Sequence, residues 1–157
     1  MTPSPRTLPA VLLAMLVSVT LLLAGPASSA SAATRSKAEK AVVKLTNAER
    51  SKRDLVKLKK GTCVQRYADR WARSIARREV LKHQDIGKVL RKCKLSSVGE
   101  NVAVGYRTSR QVVKKGWMKS EGHRANILNP GYRRIGVGVA KSKDGTRYYV
   151  QVFGRNA

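Results

Sequence analysis

The chain has 157 residues, one domain's worth, with 33 Lys and Arg against 9 Asp and Glu and a formal net charge of +24. Its two cysteines are not spaced as C-x-x-C, which argues against a cysteine redox centre or a cysteine-paired metal site. The 42% hydrophobic content overstates the core, because a block of it runs almost unbroken from Val11 to Ala24.

That block follows a stretch whose only charge is Arg6, and it is followed by Gly25-Pro26 and the small-residue run Ala27 to Ala33. It is short of the roughly 20 apolar residues that a membrane span needs, and Ala30-Ser31-Ala32 has the A-x-A form of a cleavage site. Residues 1–32 are therefore expected to be a cleaved signal peptide and the protein to be secreted. Cleavage removes one cation, so nearly the whole positive excess stays with the mature chain. No cysteine follows the block, which argues against a lipid anchor there. Outside the cytoplasm thiols are oxidised, and no third cysteine competes, so Cys63 and Cys93 are expected to form a structural disulfide.

Residues 33–40 read as a tail and a helix start, since Ser36-Lys37-Ala38-Glu39 has the form of a capping box. Ala38, Ala41, Val42, Leu45 and Ala48 then share one helical face, and Lys59-Lys60-Gly61 supplies a cationic last turn and a glycine stop. A second helix is predicted from about Val64 to Lys82, with Ala68, Trp71, Ala72, Ile75, Ala76 and either Glu79 or Val80 inward. From His83 to Tyr106 periodicity is lost, which predicts a long loop with a short strand near Val102 to Val104. Thr108 or Ser109 can cap a third helix, and a short segment from His123 to Leu128 ends at Asn129-Pro130-Gly131. Two apolar strands around the Asp144-Gly145 turn close the chain as a hairpin. Helices first and strands last imply a sheet covered by helices.

His83-Gln84-Asp85, Gly99-Glu100-Asn101-Val102-Ala103, Trp117 to Leu128, Ile135 to Ala140 and Val150-Gln151-Val152-Phe153 together resemble the CAP superfamily. That superfamily gathers cysteine-rich secretory proteins, venom allergens and plant pathogenesis-related proteins, and this chain is most similar to its compact bacterial branch of SCP-like domains. The resemblance covers roughly residues 41–154. It implies an α+β fold, an α-β-α sandwich with a central, mainly antiparallel sheet between helical layers, and a cleft lined by two histidines and two acids. Matched motif by motif, His83 and His123 are the two histidines and Glu100 is one acid. The second acid position holds Ser120 here, with Glu121 one residue further on.

His83 and His123 are the chain's two histidines, and both stand in polar, glycine-flanked motifs. Together with Glu100 they are a competent ligand set for a divalent metal such as zinc, leaving one position for water. Their spacing is no local ligand motif, and the same three residues can equally hold a polar cleft together by hydrogen bonds. Ser120 with His123 lacks a nucleophile elbow or oxyanion signature, so a catalytic role is not expected. The alternatives kept are a metal-dependent hydrolase and a lipid or sterol binding module.

Arg66, Arg70, Arg73 and Arg77 form one stripe on the second helix. With this net charge, attraction to polyanions is unavoidable. Tyr106, Tyr132, Tyr148 and Tyr149 show no stacking pattern for RNA, so no dedicated nucleic-acid partner is expected. Anionic cell-envelope polymers or phospholipid head groups are the expected partners of a monomer retained at the envelope by charge.

Overall fold

The computed structural model describes Met1 and residues 27–157. Most of the expected signal segment therefore lies outside the described residues. The first helix, α1, spans Ala27–Ser51, and residues 33–40 are helical within it. The Ala-rich run before Ser36 propagates helix at little cost, and Glu39 gives up its capping role. Its carboxylate instead accepts from the Val139 amide at 3.3 Å.

The helix also ends earlier than its charge pattern implies, at Ser51 rather than near Lys59. Asp54 turns the chain at φ 54°, the Asn47 side chain donates to the Leu58 carbonyl at 3.0 Å and accepts its amide at 2.8 Å, and Lys59–Lys60 becomes a two-residue strand, β1. Helix α2 spans Thr62–Arg78 and stops at Glu79 in the left-handed region, four residues short of the expected Lys82. Val64, Ala68, Ala72, Ile75 and Ala76 are its buried face, Trp71 is half-buried, and Glu79 and Val80 are exposed.

The expected loop after His83 contains a helix, α3, at Ile86–Lys92, capped by the Asp85 carboxylate accepting from the Lys88 amide at 2.8 Å. The strand that follows, β2, runs over Leu95–Val104, far longer than the short piece expected. Helix α4 begins at Ser109, capped by Thr108 as expected. It continues as a π-helical turn over Val112–Gly116 and a 3-10 turn over Trp117–Lys119. Helix α5 spans Glu121–Leu128, and β3 (Arg134–Lys141) and β4 (Arg147–Asn156) form the expected hairpin, turning at Gly145 with φ 86°.

The four strands lie in the order β1-β3-β4-β2, with β1 parallel to β3 and both other pairs antiparallel. Alternation on β4 splits the core in two. Tyr148, Val150 and Val152 pack with α2 and α3 on one face, while Tyr149 and Phe153 pack with α1, Val112, Val113, Trp117 and Ile127 on the other. The result is the expected α-β-α sandwich. The Cys63–Cys93 disulfide joins the start of α2 to the end of α3 across a separation of 30 residues, worth about 3–4 kcal/mol in the chain-entropy picture. It closes the segment that carries His83.

Beyond β1 the outer edge of β3 is covered by side chains rather than by a strand. Gln65 donates to the Val137 carbonyl at 2.6 Å and accepts its amide at 3.1 Å, next to the Glu39 bond to Val139. Burial, and then the charge of Asp69, push the Glu39 carboxyl from 4.5 up to about 7. Between those two values the folded chain keeps a proton that the unfolded chain has released, so stability falls as pH rises across that window. Glu39→Gln is therefore expected to melt above the wild type at pH 8 and level with it at pH 4. An equal difference at both pH values would show that Glu39 ionises normally in the fold.

Candidate functional site

Glu100 sits in the middle of the edge strand β2, paired with Val152 on β4, and its carboxylate is buried. The strand parity that places Val102 against α2 and α3 turns Glu100 toward the same side, where the segment between those helices supplies its donors. Its Oε1 accepts from His83 Nδ1 at 2.8 Å and from the Gln84 amide at 3.1 Å, and its Oε2 accepts from Gln84 Nε2 at 2.5 Å. Burial pushes the Glu100 carboxyl upward, and the Gln84 and His83 hydrogen bonds work against it. The His83 side chain beyond this contact is exposed.

His123 comes from α5, on the other helical layer. Burial first, and the nearby charge of His83 second, hold its imidazole below the usual value. Asn101, the next residue along β2, points to this second face. It donates to the His123 carbonyl at 3.1 Å and to Gln151 Oε1 at 3.1 Å, and Gln151 donates in turn to Thr46 at 2.7 Å. Asn126 closes the set by donating to the Glu100 carbonyl at 3.1 Å and to Asn101 Oδ1 at 3.0 Å. This chain of amides ties α1, β4, β2 and α5 together and fixes where His123 starts.

The geometry thus joins His83 directly to Glu100 and brings His123 within electrostatic reach of His83. Glu121 is exposed at the first position of α5 and makes no hydrogen bond or ion pair among the described residues. Among those residues no three His, Cys, Asp or Glu side chains are grouped to hold one metal ion. Both Glu100 oxygens are engaged by donors from the His83-Gln84 segment.

Gln84, Asn101, Asn126 and Gln151 carry as much of the site as the histidines do, and reading the sequence assigned them no role. Gln151 was signalled by being polar inside the apolar strand Tyr148–Phe153. Gln84 had no signal beyond its place next to His83.

The sequence model of CAP, the cysteine-rich secretory protein family, matches residues 43–153. The chain belongs to this family. Its CAP domain is 40% identical over 111 residues to the uncharacterized protein YkwD of Bacillus subtilis, an alignment covering 66% of this chain and 43% of YkwD. Part of it is 44% identical over 55 residues to the uncharacterized membrane protein YlbC of the same organism, over 35% of this chain and 14% of YlbC. The chain thus spans less than half the length of the curated relatives it matches. Among solved structures, an extracellular protein containing an SCP domain from Bacillus anthracis superposes with a TM-score of 0.68 at 26% identity, over 77% of this chain and 41% of that one. An outer surface protein of Borrelia burgdorferi, at 21% identity and a TM-score of 0.68, covers 75% of this chain and 92% of its own and shares the fold. No helix among the described residues of this CAP domain is long and apolar enough to cross a membrane.

The four stripe arginines, Arg66, Arg70, Arg73 and Arg77, are all exposed along the outer side of α2. None of them has an acidic partner among the described residues. Arg70 stacks its guanidinium over the Tyr67 ring at 5.7 Å from the centroid.

Proposed function

We propose that this protein is a secreted CAP domain that works by binding, held at the cell envelope by electrostatic attraction to anionic polymers or phospholipid head groups. The observation that carries this reading is the row of exposed, acid-free arginines on α2, in a chain of net charge +24. Charge left unneutralised within the fold stays available to an external polyanion, whose counterions are released on binding. The His83-Glu100-Gln84 cluster supports the cleft wall in this reading, and the extracellular and surface relatives are consistent with the location.

Retention on cell-wall fragments is expected to fall steeply between about 50 mM and about 500 mM salt, as the Debye length shrinks from about 14 Å to about 4 Å. Changing Arg66, Arg70, Arg73 and Arg77 together to Gln should flatten the slope of log affinity against log salt by roughly 3, whereas His83→Ala should leave it alone. Co-sedimentation measures both. Retention that ignores salt, or that is lost with His83, would mean that a specific cleft ligand governs location.

A further inference from the structure

The stripe on α2 is not one site. Arg66 and Arg70 stand apart, but Arg73 and Arg77 turn into a groove of about 640 Å³, shared with the N-terminal half of α1 and with the β3–β4 turn. Arg35, Lys141, Lys143 and Arg147 complete its cationic lining, and Ala38 and Val139 contribute to its apolar floor. Six cations facing one concavity repel each other. None of the six makes an ion pair or a side-chain hydrogen bond among the described residues. Among the described residues no carboxylate lines the groove. Asp144, in the neighbouring turn, is occupied by Ser142 Oγ at 2.5 Å and by the Thr146 amide and hydroxyl at 3.0 and 2.7 Å. All six cations lie beyond the cleavage point expected after Ala32, so the mature chain keeps them, while Ala30 and Ser31, at one end of the lining, leave with the signal segment and open that end of the groove.

The geometry points to a binding groove for a linear phosphodiester with an aliphatic backbone, such as a polyol phosphate polymer, gripped between α1, the end of α2 and the β3–β4 turn. This assignment rests on the polyanion reading above and gives it a location. The volume falls in the range of small-ligand sites, roughly 300–1,000 Å³, and suits a few repeats of a thin chain. The cations meet the phosphates, and the alanine and valine floor meets the carbon backbone between them. Among the described residues no aromatic side chain lines the groove, so the bases of a nucleic acid find no stacking platform there. Among the described residues the exposed large hydrophobics, Met1, Val56, Val80 and Leu81, lie outside its lining.

The test is calorimetry of the purified protein with a synthetic glycerol phosphate hexamer at fixed low salt. The combined change of Lys141, Lys143 and Arg147 to Gln should weaken binding at least tenfold, and Lys143→Gln alone, on the exposed turn, about threefold. The Arg66→Gln, Arg70→Gln double change should cost less than threefold. Equal losses in the two sets would overturn the groove while leaving the polyanion reading intact. So would a hexamer that fails to bind a protein still retained by wall fragments. Loss of both kinds of binding would end both readings. A thymidine hexanucleotide bound as tightly through the same three residues would overturn the aliphatic assignment. Phosphatidylglycerol vesicles that bind without competition from the hexamer would move the phosphate source to a membrane.

Discussion

Gly138→Val is expected to cost about 3 kcal/mol and to lower the melting temperature by roughly 10 °C. Gly136 and Gly138 alternate on β3 with Ile135, Val137 and Val139, which fill the core on the α1 side. On the other side the two glycines leave no side chain, and α2 rests directly on the strand. A Cβ at Gly138 would overlap the Ala68 carbonyl group and stand 2.8 Å from the Asp69 amide nitrogen. These are backbone atoms of a helix, which cannot step aside as the end of a flexible side chain could. The whole of α2 would have to lift, uncovering Val64, Ala68 and Ile75. Gly138→Ala should show a smaller loss of the same kind. Thermal melts that place both variants within a degree of the wild type would mean that α2 does not sit on β3 as described.

Arg50→Ala should be destabilising by about 3–5 kcal/mol, a large part of the roughly 5–15 kcal/mol typical of a domain. Arg50 is fully buried near the end of α1. Its guanidinium donates to the carbonyls of Val56 at 2.9 Å, Ile127 at 2.8 Å and Asn129 at 2.8 Å. It therefore satisfies the loop after α1 and the C-terminal end of α5 together. Burial, with Arg133 nearby, lowers its pKa, and no carboxylate pairs with it among the described residues. Truncation leaves three acceptors without donors and a void between them. Arg50→Met restores volume without donors, so it should recover part of the loss, and the remainder measures the hydrogen bonds. Urea unfolding of the three proteins gives the comparison. Because α5 carries His123, the alanine variant should also loosen the cleft, seen as faster amide exchange over residues 121–128. A variant as stable as the wild type would show that these carbonyls find water instead.

Local pattern was enough for the hairpin, because Asp144-Gly145 and the alternating strands around it encode their own turn and register. It was enough for the buried face of α2 as well, where alanine and isoleucine recur at helical spacing. The resemblance carried by the motifs gave the layered architecture, and with it His83 and Glu100 as neighbours. Neither end of α1 follows from local pattern, since its start depends on an Ala-rich run that tolerates helix without demanding it. Its finish depends on Asn47 and Arg50 reaching residues that local pattern does not connect. Strand β2 was mostly hidden for a related reason. Its first half, Leu95 to Glu100, shows no alternation of its own and becomes strand by pairing with β4.

The number and kinds of polar groups at the site belong to the chain alone: two imidazoles, a carboxylate between two strand halves, and an excess of cations that no folding can neutralise. Which of them meet is a tertiary outcome. Strand parity sends Glu100 to the α2–α3 side and Asn101 to the α5 side, so Glu100 is saturated by His83 and Gln84 while His123 is anchored through its backbone. In the same way the stripe on α2 is continuous in sequence, yet only the packing of α1 and the β3–β4 turn around its second half makes a groove of it. Short-range periodicity determines which face a residue takes. What stands opposite that face is decided by contacts between segments tens of residues apart.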